Sequence, residues 1–428
     1  MRAPRPTGRP GRSGVRWRAS TVFLSVATVI AAVGAVCLAT APAASAAGAP
    51  VTIALVCSCS GLAGSQYQGT EGAYLARIKV ANAAGGVNGH QIVPLFIDDQ
   101  SSPSLDTSGV QEAISKGAKG IVAVSALFFE GAKYAQQAGI PVTGAYTDGP
   151  EWGTQPNTNM FASDTGSVDP KYPVNTQIGK FLVAHGGTVL GSYGYSVSPS
   201  SSRSAISTAD SVKHAGGKVG VLDTTVPFGG VDFTSIALTA KSEGINALSG
   251  AMLNNSNFAL ATALKQAGVK LKAVAFATGY EPDVINSPVW HDVQGFYFES
   301  LFRPFALPNA GTEQMQSALI KYDKFTKSEF PTLNEYEAWL GADLMIKGMH
   351  GAGSNISSSG IIKALRSTKS YNGNGLLPSS IDYSTIFGHD EPQQCGWFVQ
   401  AEAKGFVPTS SQPFCGTDIP GTSTATSS

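Results

Sequence analysis

The sequence predicts an α/β protein made of two doubly wound parallel-sheet lobes in tandem. Three observations lead there. Short apolar runs, of the kind buried on both faces of a sheet, alternate with stretches of helical spacing. That alternation runs through one series and then restarts. The 428 residues also exceed the roughly 250 to 300 at which a single core stops growing. Charged residues make up only 14% of the chain, but 43% apolar content keeps its bulk in the globular class and excludes intrinsic disorder for it.

The first series opens with Val51 to Val56, an apolar run ending in a small-residue loop. A helix is expected from about Gly69 to Ala84, where Ala73, Ala76, Ile78 and Val80 recur near helical spacing and Gly85-Gly86 ends it. The strand Ile92 to Ile97 stops at Asp98-Asp99, and Ser102-Pro103 reads as an N-cap and first-turn proline for a helix to about Lys116. Gly120 to Ser125 is a strand, Phe129 to Ala138 a helix and Ile140 to Ala145 a strand. A βαβαβαβ order requires a parallel sheet with helices on both faces.

The second series follows the same plan. Strands are expected at Thr188 to Ser192, Val219 to Asp223, Ala247 to Gly250 and Ala273 to Ala277, with helices Arg203 to His214, Phe233 to Ser242 and Phe258 to Gln266 between them. Even the helix exits agree, Ala84-Gly85-Gly86 against Ala215-Gly216-Gly217. Two such lobes enclose a cleft, and ligands of open parallel sheets sit beyond the carboxyl ends of the strands. Beyond the repeat come a strand at Gly295 to Phe298, helices near Gln314 to Ser328 and Glu335 to His350, and a last strand from Cys395 to Gln400.

The chain begins with six arginines (Arg2, Arg5, Arg9, Arg12, Arg16, Arg18), the apolar run Val22 to Leu38, and small residues around Ala46. This is a secretory signal, so the protein is expected to be exported: extracytoplasmic, secreted or associated with the cell envelope. An uncleaved N-terminal anchor and lipid attachment at Cys37 are the alternatives. Setting those arginines aside leaves 23 basic against 29 acidic residues, a balance that offers no footprint for nucleic acid. Export makes disulfides the expected state of Cys57, Cys59, Cys395 and Cys415, although four cysteines allow three pairings. Gly396 and Gly416 favour Cys395 with Cys415, which leaves Cys57 and Cys59 to each other. No His or Cys at ligand spacing accompanies Cys-x-Cys, so no metal is expected.

Catalytic signatures are missing as well. There is no nucleophile elbow, phosphate loop, zinc-protease motif or dinucleotide-binding glycine pattern, so neither an enzyme nor a cofactor is expected. Asp98-Asp99 is the one acid pair at a strand end, and it reads as a helix cap and acceptor for loop amides.

The segment Asn82-Ala83-Ala84-Gly85-Gly86-Val87-Asn88-Gly89-His90, followed by Asp98-Asp99-Gln100, resembles leucine/isoleucine/valine-binding periplasmic proteins. Ser60-Gly61, Ala138-Gly139-Ile140-Pro141, Asp232-Phe233-Thr234 and Gly244-Ile245-Asn246-Ala247 add to the resemblance. It implies a type I periplasmic binding protein fold, with lobes joined by a multi-segment hinge crossing near 163–169, 294–303 and 373–384. The corresponding division is 1–46 signal peptide, 47–165 and 296–372 first lobe, 166–295 and 373–415 second lobe, and 416–428 disordered tail. It further implies a receptor that binds a small amino-acid-like solute and delivers it to the permease and ATPase subunits of an ABC importer. A ligand-sensing ectodomain acting with a separate membrane signalling partner is the alternative.

Carried over residue by residue, the resemblance places Ser125 and the loop Tyr146, Thr147 and Asp148 at the ligand's carboxylate. It puts Tyr67 and Tyr193 or Tyr195 over the ligand, and Glu281 at its ammonium. Two departures stand out. Ala126-Leu127-Phe128-Phe129 follows Ser125 where small polar residues are usual, which predicts an apolar wall suited to a hydrophobic solute, and Leu62 replaces a proline.

Overall fold

The computed structural model describes residues 48–144, 149, 151–152, 156–164, 173–385 and 395–422. In the first lobe the order is β1 (Gly48–Cys57), α1 (Thr70–Ala83), β2 (His90–Asp98), α2 (Pro103–Ser115), β3 (Gly120–Val124), α3 (Ala132–Gln137), β4 (Val142–Gly144) and β5 (Met160–Ala162). In the second it is α4 (Gln177–Ala184), β6 (Val189–Tyr195), α5 (Pro199–His214), β7 (Lys218–Val226), α6 (Thr234–Ser242), β8 (Ala247–Gly250), α7 (Asn254–Gln266), β9 (Ala273–Phe276), α8 (Pro282–Ile285), α9 (Trp290–Val293) and β10 (Tyr297–Ser300). The chain then returns with α10 (Ala310–Tyr322), α11 (Leu333–Gly351) and α12 (Ser358–Arg366), and finishes with β11 (Cys395–Glu402), β12 (Gly405–Pro408) and β13 (Phe414–Cys415).

The repeat read from the sequence is real in three dimensions. The first sheet has the order β2-β1-β3-β4-β5 and the second contains β7-β6-β8-β9-β10, in both cases with parallel neighbours. Alternate residues of each central strand enter different cores, which is why these runs are continuously apolar. Ile53 and Leu55 of β1 pack on the side of α1 and α11, whereas Ala54 and Val56 join Val110, Ala113 and Ala132 of α2 and α3. In the second lobe Leu190 packs with Phe181 and Val212 of α4 and α5, while Leu248 and Val274 meet the α6 and α7 side. The twin helix exits also correspond: the Gly86 amide donates to the Ala81 carbonyl and the Gly217 amide to the Val212 carbonyl, each at a glycine-containing left-handed turn (Gly86 φ 80°, Gly216 φ 88°).

Several boundaries moved. Helix α5 begins at Pro199, four residues before the expected start at Arg203, because Ser198 caps it by accepting from the Ser201 amide and Pro199 occupies its first turn. The sequence reading did not include β5, α4, α8, α9, α12, β12 or β13.

Strand β10 pairs with β9 and belongs to the second sheet, whereas a lobe boundary at 296 would put it in the first. Residues 373–383 stay with the first lobe, where Leu376 and Tyr383 are buried and the Tyr383 hydroxyl donates to the Ala162 carbonyl, so the last crossing lies beyond them. The stretch from Gly416, expected to be a disordered tail, is tied down as far as Thr422. Thr176 donates its amide to the Thr417 carbonyl, Ile419 is buried, and the Val174 amide donates to Thr422 Oγ1.

Both expected disulfides are present, Cys57–Cys59 and Cys395–Cys415. The second follows from strand register, since Cys395 and Cys415 are directly opposed in the antiparallel β11–β13 pair. The N-terminal signal lies outside the described residues.

Helix α11 fixes how the returning segment meets the first sheet. Thr332 and Glu335 form a reciprocal capping box at its start. Further along, Gly341 lies against β3 and β4 so closely that an added Cβ would sit 2.8 Å from Val122 Cγ1, and its carbonyl accepts from Thr143 Oγ1 at 2.7 Å. A larger residue there would push the helix off the sheet.

Candidate functional site

The carboxyl ends of both sheets meet around a cavity of about 250 Å³. The first lobe contributes Gln66 and Tyr67 after β1, Ala126 after β3, Asp164 after β5, and Leu333 and Asn334 at the start of α11. The second contributes Tyr195 at the end of β6, serines from the first turns of α5, Phe228 after β7, Met252 and Leu253 after β8, Ala277 and Thr278 after β9, and Glu299 and Leu301 at the end of β10. This is the position at which a parallel α/β sheet offers loop and strand-end groups to a ligand.

Most polar groups at the rim already have partners. The Tyr195 hydroxyl donates to Ser256 Oγ at 2.6 Å and accepts from the Leu253 amide at 3.1 Å. Thr278 Oγ1 donates to the Met252 carbonyl at 2.7 Å, and Ser201 Oγ to the Ala251 carbonyl. Gln66 links the lobes, its Oε1 accepting from the Asn254 amide at 3.0 Å and its carbonyl from Asn334 Nδ2 at 2.9 Å. Glu299 has neither a hydrogen bond nor an ion pair among the described residues. It is partly buried and belongs to the cavity lining, and burial pushes its carboxyl up to about 7.

Of the residues proposed from the sequence, Tyr67 and Tyr195 reach the cavity lining. Tyr193 does not. It lies two residues earlier on β6, fully buried in the core with its hydroxyl unpartnered, and burial raises its pKa. Ser125 is also withdrawn from the lining, because its hydroxyl donates to Asp99 Oδ2 at 2.5 Å and accepts from the Leu127 amide at 3.0 Å. Asp99 in turn accepts from the Ser101 amide, and Asp98 from the amides of Ser60 and Gln100. The acid pair therefore accepts loop amides as expected but does not cap a helix, since α2 begins after Ser102 with no side-chain cap hydrogen bond.

Glu281 sits behind the lining at the start of α8, with Oε2 accepting from Asn254 Nδ2 at 2.6 Å. Burial pushes it up to about 8, against the lowering effect of that hydrogen bond. Tyr146, Thr147 and Asp148 lie outside the described residues. The apolar wall expected after Ser125 is not formed in the lining, since Phe128 turns into the first-lobe core beside Trp152 (ring centroids 6.2 Å apart), leaving Ala126 at the cavity.

Glu299 escaped the sequence reading. Its signal was an acid in the apolar stretch Phe296-Tyr297-Phe298-Glu299, at the carboxyl end of a strand. That strand was expected to end at Phe298 and was not counted with the second lobe. Among the described residues no group of three or more His, Cys, Asp or Glu is arranged to hold a metal ion.

Comparison with solved structures finds the same fold at low sequence identity. A fatty acid ABC transporter substrate-binding protein from Thermomonospora curvata aligns with a TM-score of 0.70 at 15% identity, covering 87% of this chain and 93% of the other. A branched chain amino acid ABC transporter protein from Thermus thermophilus with bound valine gives a TM-score of 0.69 at 16% identity, covering 86% and 96%. A solute-binding protein from R. palustris in complex with benzoate gives 0.65 at 15% identity, covering 87% and 98%. No curated protein matches in sequence. A model of the periplasmic binding protein family matches residues 50–405, a span that takes in both lobes and the cavity between them, and the chain accordingly belongs to the type I periplasmic binding proteins.

Proposed function

We propose that the protein is the solute receptor of an ABC importer, taking one small molecule into the interlobe cavity and passing it to the permease and ATPase subunits. The observation that carries this reading is a cavity walled by both lobes at the carboxyl edges of their sheets. A ligand enclosed there contacts both lobes only when they are closed, so binding shifts the population toward closure, and a membrane partner can distinguish closed from open. The family is extracytoplasmic. No helix among the described residues is long and apolar enough to cross a membrane.

Small-molecule pockets generally start near about 300 Å³, so a cavity of about 250 Å³ suits a solute no larger than an amino acid or a single-ring compound. Tyr67, Tyr195, Phe228, Met252, Leu253 and Leu301 supply apolar contact, and the serines of α5 a polar side. The compounds named for the structural relatives, fatty acids, valine and benzoate, each have an apolar body of the kind the apolar part of this lining would hold.

The test is a thermal-shift screen of amino acids, amines, amides and aromatic acids, followed by calorimetry and small-angle scattering. We expect a stabilising compound with a dissociation constant near micromolar, about 8 kcal/mol, and a smaller radius of gyration at saturation. Absence of stabilisation by every compound at millimolar concentration, or an unchanged radius at saturation, would count decisively against this function.

A further inference from the structure

We infer that Glu299 sets the chemical class of the solute, and that this class is a small cation, an amine on an apolar body whose ammonium docks against the Glu299 carboxylate. The inference rests on the reading of the interlobe cavity as the solute site. Strand geometry aims the carboxylate. Side chains alternate along β10, so Phe298 enters the core beside Phe258 and Phe276 while Tyr297 and Glu299 share the opposite face. Tyr297 is covered by Phe181 of α4, with ring centroids 4.9 Å apart. Glu299 lies one alternate position further along, past that cover, and faces the cavity together with Leu301.

An ionised carboxylate in a lining that also holds Leu301, Met252 and Leu253 is costly unless it has a partner. Among the polar side chains at the rim, Tyr195 bonds to Ser256, and Ser201, Thr278 and Gln66 bond to the backbone, rather than to Glu299. Among the described lining residues there is no Lys, Arg or His, and the second acid, Asp164, has a partner of its own. The described lining thus supplies negative charge and no positive charge. A solute ammonium would complete the missing ion pair, whereas a solute carboxylate at the same place would set like charges together. Burial holds the Glu299 carboxyl near 7, and an incoming ammonium would favour its ionised form.

Probes that change the charged end while keeping the body separate these alternatives. Benzylamine, benzamide and benzoate share one ring, and isopentylamine and 4-methylpentanoate provide an aliphatic pair. Each is titrated by calorimetry into the full chain at neutral pH. The expected order is amine, then amide, then carboxylate. Glu299→Gln should weaken amine binding by about tenfold to a hundredfold and change benzamide binding by less than about threefold. The same variant should melt at a higher temperature than the parent without ligand, since it removes an unpartnered buried acid, an effect opposite in sign to its effect on binding.

Ala277→Leu, which fills the cavity from the second lobe, should abolish binding of every probe. Carboxylates binding best and being blocked by Ala277→Leu would overturn the cation inference and keep the cavity as the site. Any probe binding equally well to Ala277→Leu and the parent would overturn the cavity reading itself. Failure of both amines to bind, or amine affinity unchanged in Glu299→Gln, would overturn the inference.

Discussion

Strand orders β2-β1-β3-β4-β5 in the first lobe and β7-β6-β8-β9-β10 in the second present equivalent edges to the cleft, yet the acids at those edges meet different surroundings. Asp98 and Asp99, at the end of β2, accept from three loop amides and the Ser125 hydroxyl. Across the cleft, Glu281 accepts a side-chain bond from Asn254, and Glu299 accepts none among the described residues. The comparison teaches that shared topology fixes where polar groups are placed, while local saturation decides whether they are available. First-lobe acids are spent on holding loops, and the unspent charge lies in the second lobe.

Acidity should separate the lobes most strongly. Burial raises Glu281 to about 8 and both Glu299 and Glu335 to about 7, from an ordinary value near 4.5. A carboxyl group with a raised folded-state pKa holds its proton more tightly folded than unfolded. Its stabilising contribution is complete below about 4.5 and is lost as pH rises through 7 to 8. Unliganded protein should therefore lose several kcal/mol between pH 6 and 9, read from urea unfolding at a series of pH values. Glu281→Gln and Glu299→Gln in the second lobe should together flatten that profile more than Glu335→Gln in the first. The reverse ranking would break the comparison.

The disulfides give a smaller contrast. Cys395–Cys415 spans a sequence separation of 20 and Cys57–Cys59 one of 2. In the chain-entropy model, replacing the former pair by serine should cost about 3 kcal/mol and the latter about half as much. Denaturant midpoints of the two double variants under oxidising conditions would check this. Equal losses would mean that β13 is held mainly by other contacts, such as Phe414 against Phe181 and Phe398.

Ser125→Ala is expected to cost less than loss of the Cys395–Cys415 bridge. Removing the hydroxyl leaves Asp99 and the Leu127 amide each short of a bond, costing about 2 kcal/mol of stability. Ligand affinity should change by less than about threefold. A tenfold loss of affinity without a loss of stability would restore Ser125 to direct ligand contact.

Much of this molecule was legible in its sequence. Apolar runs such as Val51 to Val56 marked strands buried on both faces, Gly85-Gly86 and Gly216-Gly217 marked helix exits, and the restart of the series revealed two lobes. The same pattern located the cleft at the strand ends, while Tyr67, and Tyr195 as the alternative to Tyr193, came from the family resemblance. Other placements were hidden because they depend on long-range pairing. Tyr193 and Tyr195 are indistinguishable by strand alternation, and only the end of β6 relative to α6 and the cavity separates core from lining. Glu299 went unnoticed because its place at the cavity depends on β10 pairing with β9. Chain-local forces, namely apolar periodicity, helix caps and glycine turns, determined the elements and their repetition. Which side chains face the cavity, and which acid there is left without a partner, follows from contacts between residues as far apart as Gln66 and Asn254, and only the tertiary structure decided it.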